Sequence, residues 1–255
     1  MRIATWNVNG VRAREANVLA WLATENPDFL LMQEIKCETA AFPPSFAAAG
    51  WHAAVAGQKG FNGVAILARA PLTIVHTALP GLPPDDAQAR YIEISSAGMH
   101  IGNLYLPNGN SGGDAGYAYK LAWMDALAAH AQTHLTAETP FLLAGDFNVC
   151  PEPVDCAAGA LSPGDALLRP ETVQRYWKMI WAGLTDAQRA LKPEGPAYTF
   201  WDYQGGAFDR NRGIRIDFAL LSPALAERLT DLQVDRAERN RATPSDHAPV
   251  VVTLD

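Results

Sequence analysis

What most constrains this chain is a set of short apolar segments, each closed abruptly by polar residues. Arg2–Asn7, Phe29–Gln33, Gly63–Ala68, Arg90–Ser95, His100–Leu106, Phe141–Ala144, Arg215–Leu221 and Pro249–Leu254 read as strands. Most are apolar on both faces, the pattern of strands covered on both sides. Helical periodicity falls between them. Val11–Glu25 carries Val11, Val18, Leu19 and Leu22 at helical spacing, and Gly116–Ala137 carries Leu121, Trp123, Met124 and Leu127. Thr172–Gly183 and Thr185–Leu191 read as a further pair of helices. Strands and helices mixed on this scale predict an α/β fold built in layers.

The polar closures are themselves informative. Asn7 ends the first strand, Glu34 follows the second, and Tyr105 to Asn108 close a middle one. Asp146 and Asn148 follow Phe141–Ala144, Asp217 sits inside Arg215–Leu221, and Asp246 and His247 precede the last strand. In layered α/β folds such groups converge on one rim, where loops carry the chemistry.

Bulk properties bound the answer. At 255 residues the chain is expected to form one large domain spanning residues 1–255. The 49% apolar content is enough for a sizeable core. Cys37, Cys150 and Cys156 show no C-x-x-C spacing, so neither a disulfide framework nor a zinc site is expected, and a reducing cytoplasm fits. MRIATWNVNG turns polar at once and no apolar run of about 18 residues occurs, so no signal segment or membrane span is expected. The net charge of −7 weighs against an extended basic face. Part of that acidity fits a metal site, where a cation offsets it.

Four motifs carry chemistry. GDFN at Gly145–Asn148 offers a carboxylate and an amide after a tight backbone path, although Gly, Asp and Asn also dominate plain turns. Gln33–Glu34 closes an apolar strand with a carboxylate suited to a hard cation, or equally to a loop. SDHAPV at Ser245–Val250 sets an acid beside an imidazole, the side chain best suited to moving protons near neutral pH. Asp217, between Ile216 and Phe218, reads as a buried carboxylate in need of a partner: His247, or a nearby arginine. His52, His76, His100, His130 and His134 lie in no motif and read as surface or packing residues.

Taken in order, N-x-N-G, QE, Y-x-P-N, GDFN, RID and SDHAPV form one series. With TWNVNGVRAR, PDFLLMQEIKC, LLAGDFNVCPEPVD and YTFWDY, it closely resembles the exonuclease III and abasic-site endonuclease family, within the endonuclease/exonuclease/phosphatase superfamily. The resemblance implies a four-layer α/β sandwich of the DNase I type, with two central mixed sheets flanked by helices. It implies a Mg²⁺-dependent DNA repair phosphodiesterase, with Mn²⁺ as a substitute, acting on double-stranded DNA at abasic sites or 3′ ends; a monomer is the default expectation. Glu34, Asn7 and Asp246 would hold the metal. Asp146, Asn148, Tyr105, His247 and Asp217 would be catalytic, with Asp146 as base or acid and Asp217 holding His247. Asn108 would contact the phosphate. Asn9 stands where some relatives carry aspartate, which leaves its part in metal binding open. Phe200 and Trp201 match an aromatic pair walling the pocket for a base-free sugar. Arg210 and Arg212, with Arg215 beside them, would grip the DNA backbone. A superfamily cousin acting on RNA, an inositol phosphate or a lipid head group is the competing reading.

Overall fold

Single-residue alternation sets the layers in the computed structural model, which describes residues 1–255. In β1 (Arg2–Asn7), Ile3 points into one apolar cluster while Ala4 and Trp6 point into another on the opposite face. β2 (Phe29–Gln33) repeats the pattern, with Phe29 and Leu31 on one side and Leu30 and Met32 on the other. In β8 (Phe141–Asp146), Leu142 and Ala144 join the first of these clusters, whereas Phe141 and Leu143 join a third. Strands that are apolar on both sides need cover on both sides.

The remaining strands are β3 (His52–Ala56), β4 (Val64–Ala68), β5 (Thr73–His76), β6 (Tyr91–Ser96), β7 (Met99–Tyr105), β9 (Thr185–Asp186), β10 (Asp217–Leu221), β11 (Leu229–Val234) and β12 (Val250–Leu254). They form two six-stranded sheets, ordered β11-β12-β1-β2-β4-β3 and β5-β6-β7-β8-β10-β9. Only β1/β2 and β7/β8 pair in parallel. Those two pairs are bridged by the long helices, α1 (Val11–Glu25) and α3 (Gly113–Thr136). Shorter helices are α2 (Ser45–Ala48), α4 (Pro170–Trp181), α5 (Ala187–Leu191) and α6 (Pro223–Ala226).

The three clusters define four layers. One, drawn from both sheets, fills the space between them; a second joins the first sheet to α1; a third joins the second sheet to α3 and α4. This is the expected four-layer sandwich with two mixed sheets. A polar tie crosses the middle. Gln33 Nε2 donates to Thr5 Oγ1 in its own sheet (2.9 Å) and to Asn103 Oδ1 in the other (2.7 Å). Asn103 Nδ2 in turn reaches the carbonyls of Met32 and Ala65, each at 2.9 Å.

The structure departs from the sequence reading in two places. Thr185–Asp186 is a strand and the helix starts only at Ala187, because the Asp186 carboxylate accepts from the Gln188 and Arg189 amides and caps it. Second, the apolar pattern misses β3, β5, β9 and β11, which are the four sheet edges. β5 and β11 are largely exposed, so they carry no run of apolar residues for a pattern to detect.

Candidate active site

Sheet register brings the strand-end polar groups together. On β8, Asp146 lies opposite Tyr105 on one side and Asp217 on the other, so one row of the second sheet presents three candidate residues. The backbone here leaves no room for a side chain at Gly145. Its φ is +148°, and a Cβ would lie 2.0 Å from the Leu104 carbonyl oxygen. The first sheet contributes Asn7, at the end of β1, then Glu34 just past β2 and Asp246 and His247 just before β12. Four rim residues, Asn9, Glu34, Lys36 and Asn148, have φ between 45° and 52°, a conformation that non-glycine residues adopt at a cost. Amide bonds from Gly10 to the Glu34 carbonyl (2.7 Å) and from Lys36 to the Asn62 carbonyl (2.9 Å) hold the Glu34 turn in place.

A cavity of about 490 Å³ opens over this rim. Glu34, Asp146, Asp165, Asp202 and Asp246 face it, against Arg212 and His247. Asn7, with 0% exposure, sits beneath; its Nδ2 donates to Glu34 Oε1 (2.8 Å) and to Asp146 Oδ2 (3.0 Å). Asp146 Oδ1 accepts the Asn148 amide at 3.0 Å. Asn148 is a brace: its Nδ2 donates to the Leu106 carbonyl (2.9 Å) and its Oδ1 accepts from Asn108 (3.0 Å). His247 Nδ1 is 2.8 Å from Asp217 Oδ2, and its Nε2 is 3.8 Å from Asp146 Oδ2. The expected Asp217–His247 dyad is therefore present, with Thr199 Oγ1 donating to the same Asp217 oxygen at 2.5 Å.

Charge follows from this geometry. Burial disfavours the His247 cation, but Asp217, Asp146 and Asp246 more than offset it and push its pKa up to about 10. Burial raises Asp146 to about 7, despite the imidazole beside it. Glu34 is held below the usual carboxylate range: burial works against ionisation, and the Asn7 amide and Lys36 outweigh it. Burial, with Glu34 and Asp146 nearby, raises Tyr105, which stays a phenol and a hydrogen-bond donor.

The donor set suits a hard cation. Carboxylate and amide oxygens from Glu34, Asp246 and Asn9 are the ligands such ions prefer. Lys36 already shows what this corner attracts, since its ammonium lies 2.9 Å from Glu34 Oε2 and bonds Asn9 Oδ1. Asn9 Nδ2 donates to Asp246 Oδ1 at 3.1 Å, which ties the two carboxylate arms together. A cavity this acidic would repel a phosphodiester unless a cation intervened.

Two expected contacts fall elsewhere. Phe200 lines the cavity and packs edge-on to His247, with ring centroids 5.0 Å apart. Trp201 does not line it. It is 1% exposed, packs with Ala207 and Ala248, and donates to Asn211 Oδ1 at 3.3 Å. Successive residues of an extended segment point to opposite sides, so only one of the pair can face the cavity. Arg215 is buried and paired with Asp155 (2.6 Å) and Asp186 (2.7 Å), out of reach of DNA. Arg210 and Arg212 are exposed, and Arg212 lines the cavity. Sequence reasoning missed Lys36 and Lys120. Lys120 Nζ is buried and donates to the Asn108 carbonyl (2.9 Å) and the Asn148 carbonyl (2.5 Å), fixing both loops. Its signal was a lysine at helical spacing within the buried stripe Tyr117, Trp123, Met124 and Leu127.

Fold and site together define a layered phosphoesterase, and comparison with known proteins places it. The chain belongs to the Endonuclease/Exonuclease/phosphatase family, which it matches over residues 4–247. It is 33% identical over 266 residues to exodeoxyribonuclease III of Haemophilus influenzae, covering 98% of each chain. Among solved structures it resembles the 3′ phosphatase NExo from Neisseria bound to a product DNA hairpin, with TM-score 0.96, 38% identity and 100% and 99% coverage. It also resembles an AP endonuclease from Archaeoglobus fulgidus, with TM-score 0.92, 36% identity and 100% and 99% coverage. No helix is long and apolar enough to cross a membrane.

Proposed function

We propose that this chain is a metal-dependent DNA repair phosphodiesterase that incises duplex DNA 5′ to abasic sites and trims 3′ ends. One observation carries the reading. The same cavity is lined by the polar groups of Tyr105, Asp146 and His247 and by an apolar cluster that includes Phe200, Ile214, Leu167 and Leu161. The polar side suits a phosphodiester and the apolar side a sugar stripped of its base.

Each residue has a task on this reading. Glu34 and Asp246, with the Asn9 amide oxygen, would hold the cation; Asn7, expected among the metal ligands, instead orients the Glu34 and Asp146 carboxylates through its shared amide, its Oδ1 being taken by the Asn9 backbone amide. Mg²⁺, or Mn²⁺ in its place, supplies charge stabilisation on the phosphate. Asp146 accepts the proton of the attacking water, for which a pKa near neutrality is well matched. His247, held cationic by Asp217, donates to a phosphate oxygen where negative charge develops. The Tyr105 phenol and the Asn108 amide orient the same phosphate, and Asn148 fixes Asn108. Arg210 and Arg212 contact the backbone beside the cavity, and Phe200 stacks against the base-free sugar.

The test is cleavage of labelled duplexes carrying an abasic site, a plain 3′ end or a 3′-phosphate, with Mg²⁺ and with EDTA. Metal-dependent incision at the abasic site is expected, and the other two substrates rank the side activities. No reaction on any of the three, with hydrolysis of an inositol phosphate or lipid head group instead, would overturn the reading.

A further inference from the structure

Away from this cavity, the outer face of the second sheet buries a carboxylate among imidazoles. Glu93 of β6 has 0% exposure and lies beneath α3. His76 is its cross-strand neighbour on β5, His100 comes from β7, and His130 and His134 sit one helical turn apart on α3. Glu93 Oε1 is 2.6 Å from His100 Nδ1 and 3.2 Å from His134 Nε2. Its Oε2 is 2.6 Å from His130 Nε2 and 2.8 Å from the Tyr91 hydroxyl. None of these residues lines the nuclease cavity.

Two features do not fit a purely structural cluster. One buried carboxylate is balanced by one imidazolium, yet three imidazoles crowd it. Moreover the Nε2 of His134, a residue 8% exposed, is buried and makes no hydrogen bond; its one polar neighbour is Glu93 Oε1 at 3.2 Å, which His100 already engages at 2.6 Å. A buried nitrogen left unpaired costs stability unless something else takes its lone pair. Neutral imidazoles and a carboxylate are the ligands of Zn²⁺ and similar ions.

We propose that Glu93, His100 and His134 form a Zn²⁺ site. Their ligand atoms all lie within 4.8 Å of one another. Tetrahedral bonds of about 2.0–2.1 Å ask for ligand spacings of about 3.4 Å, so side-chain adjustment suffices. His76, Glu93 and His130 meet the same spacing. In each set one imidazole already bonds the carboxylate, His100 at Oε1 and His130 at Oε2; the ion belongs to the first set because only there is a buried ring nitrogen, His134 Nε2, left without a partner. His130 and Tyr91 then hold the far carboxylate oxygen from behind, as outer partners of metal ligands do. Three protein ligands leave a fourth position for water. The His100 side chain, 30% exposed, provides the path for the ion. Bound there, Zn²⁺ pins the C-terminal half of α3 to the β6–β7 hairpin.

The test uses the full chain, stripped with chelator, then titrated with Co²⁺ and with Zn²⁺. Wild type should take up Co²⁺ with strong visible absorption typical of a four-coordinate site. Zn²⁺ at about 100 times its Kd should raise Tm by roughly 5–10 °C. Both signals should persist in Glu34→Gln, which removes the metal-holding carboxylate of the nuclease cavity, and affinity should drop at least ~10-fold in His134→Ala and His100→Asn. If His134→Ala fails to fold, the partly exposed His100→Asn decides, and its nuclease activity should match wild type. Equal Co²⁺ affinity in wild type and His100→Asn, or loss of the signal in Glu34→Gln, overturns the site.

Discussion

Asp217→Asn removes one charge from behind His247 while keeping the shape of the side chain. His247 Nδ1 lies 2.8 Å from Asp217 Oδ2, and this carboxylate leads the groups that overcome burial and raise the imidazole to about 10. With the charge gone, only Asp146 and Asp246 still oppose burial, and the imidazole falls toward its ordinary value of about 6.5. At that limit the cationic fraction at about pH 7.5 falls from near unity to about one in ten, and at about pH 8.5 to about one in a hundred. Cleavage should fall toward the same proportions. The new amide nitrogen takes the place of Asp217 Oδ1, which has no partner. That stranded donor costs about 1–3 kcal/mol, a loss of Tm that still leaves a folded protein. The assay is single-turnover cleavage, across the pH range, of a duplex with an alkali-stable tetrahydrofuran abasic analogue. In wild type the rate should rise as Asp146 loses its proton through about 7 and fall as His247 loses its proton through about 10. A cation bound beside Glu34 favours the Asp146 carboxylate, so the acid limb should move lower as metal is added. In the variant the alkaline limb moves down until the two limbs overlap. An Asp217→Asn enzyme with its alkaline limb still near 10 and wild-type turnover would refute the protonated-histidine mechanism.

Other positions give sharper yes-or-no outcomes. Gly145→Ala drives a Cβ to within 2.0 Å of the Leu104 carbonyl, so β7 and β8 must part; loss of soluble protein or of all cleavage is expected, and an active variant would show the strand pair to be pliable. Lys120→Met leaves the Asn108 and Asn148 carbonyls without their donor; steady-state kinetics should show KM for DNA rising roughly 10-fold, the effect of about one hydrogen bond, and Tm should fall with the loss of about 1–3 kcal/mol. Trp201→Ala should cost about 3–5 kcal/mol in a denaturant titration without altering the ratio of abasic incision to 3′ trimming. Phe200→Ala should change that ratio at little cost in stability, since only Phe200 meets the cavity. DNA affinity should fall with salt at a log–log slope of only about −2 to −3, the yield of a few contacts such as Arg210 and Arg212.

How much of this was legible follows from where each residue sits. Central strands such as Phe29–Gln33 and Phe141–Asp146 announce themselves because both faces are dry, and the site residues stand out as polar breaks in those runs. Edges stay hidden because a strand half in water has no pattern to show. Within the site, a buried carboxylate flanked by Ile216 and Phe218 announced that Asp217 must find a partner, His247 or an arginine, and the family resemblance pointed to His247. Arg215 had the same need and met it in Asp155 and Asp186, far along the chain, which no local pattern reveals. The Glu93 cluster was invisible for the same reason. Its histidines lie in no motif and read as surface or packing residues, and three strands and a helix bring them to one buried point.

The site draws on both sheets: Asn7, Glu34, Asp246 and His247 from one, Tyr105, Asp146 and Asp217 from the other. Neither half alone can cut a phosphodiester. Only when the sheets dock face to face, keyed by the Gln33–Asn103 bond, do Asn7 and Asp146 come within reach. A chain with every strand formed but its halves undocked lacks the Asn7–Asp146 contact, so under mild denaturant cleavage should vanish before the far-ultraviolet dichroism does.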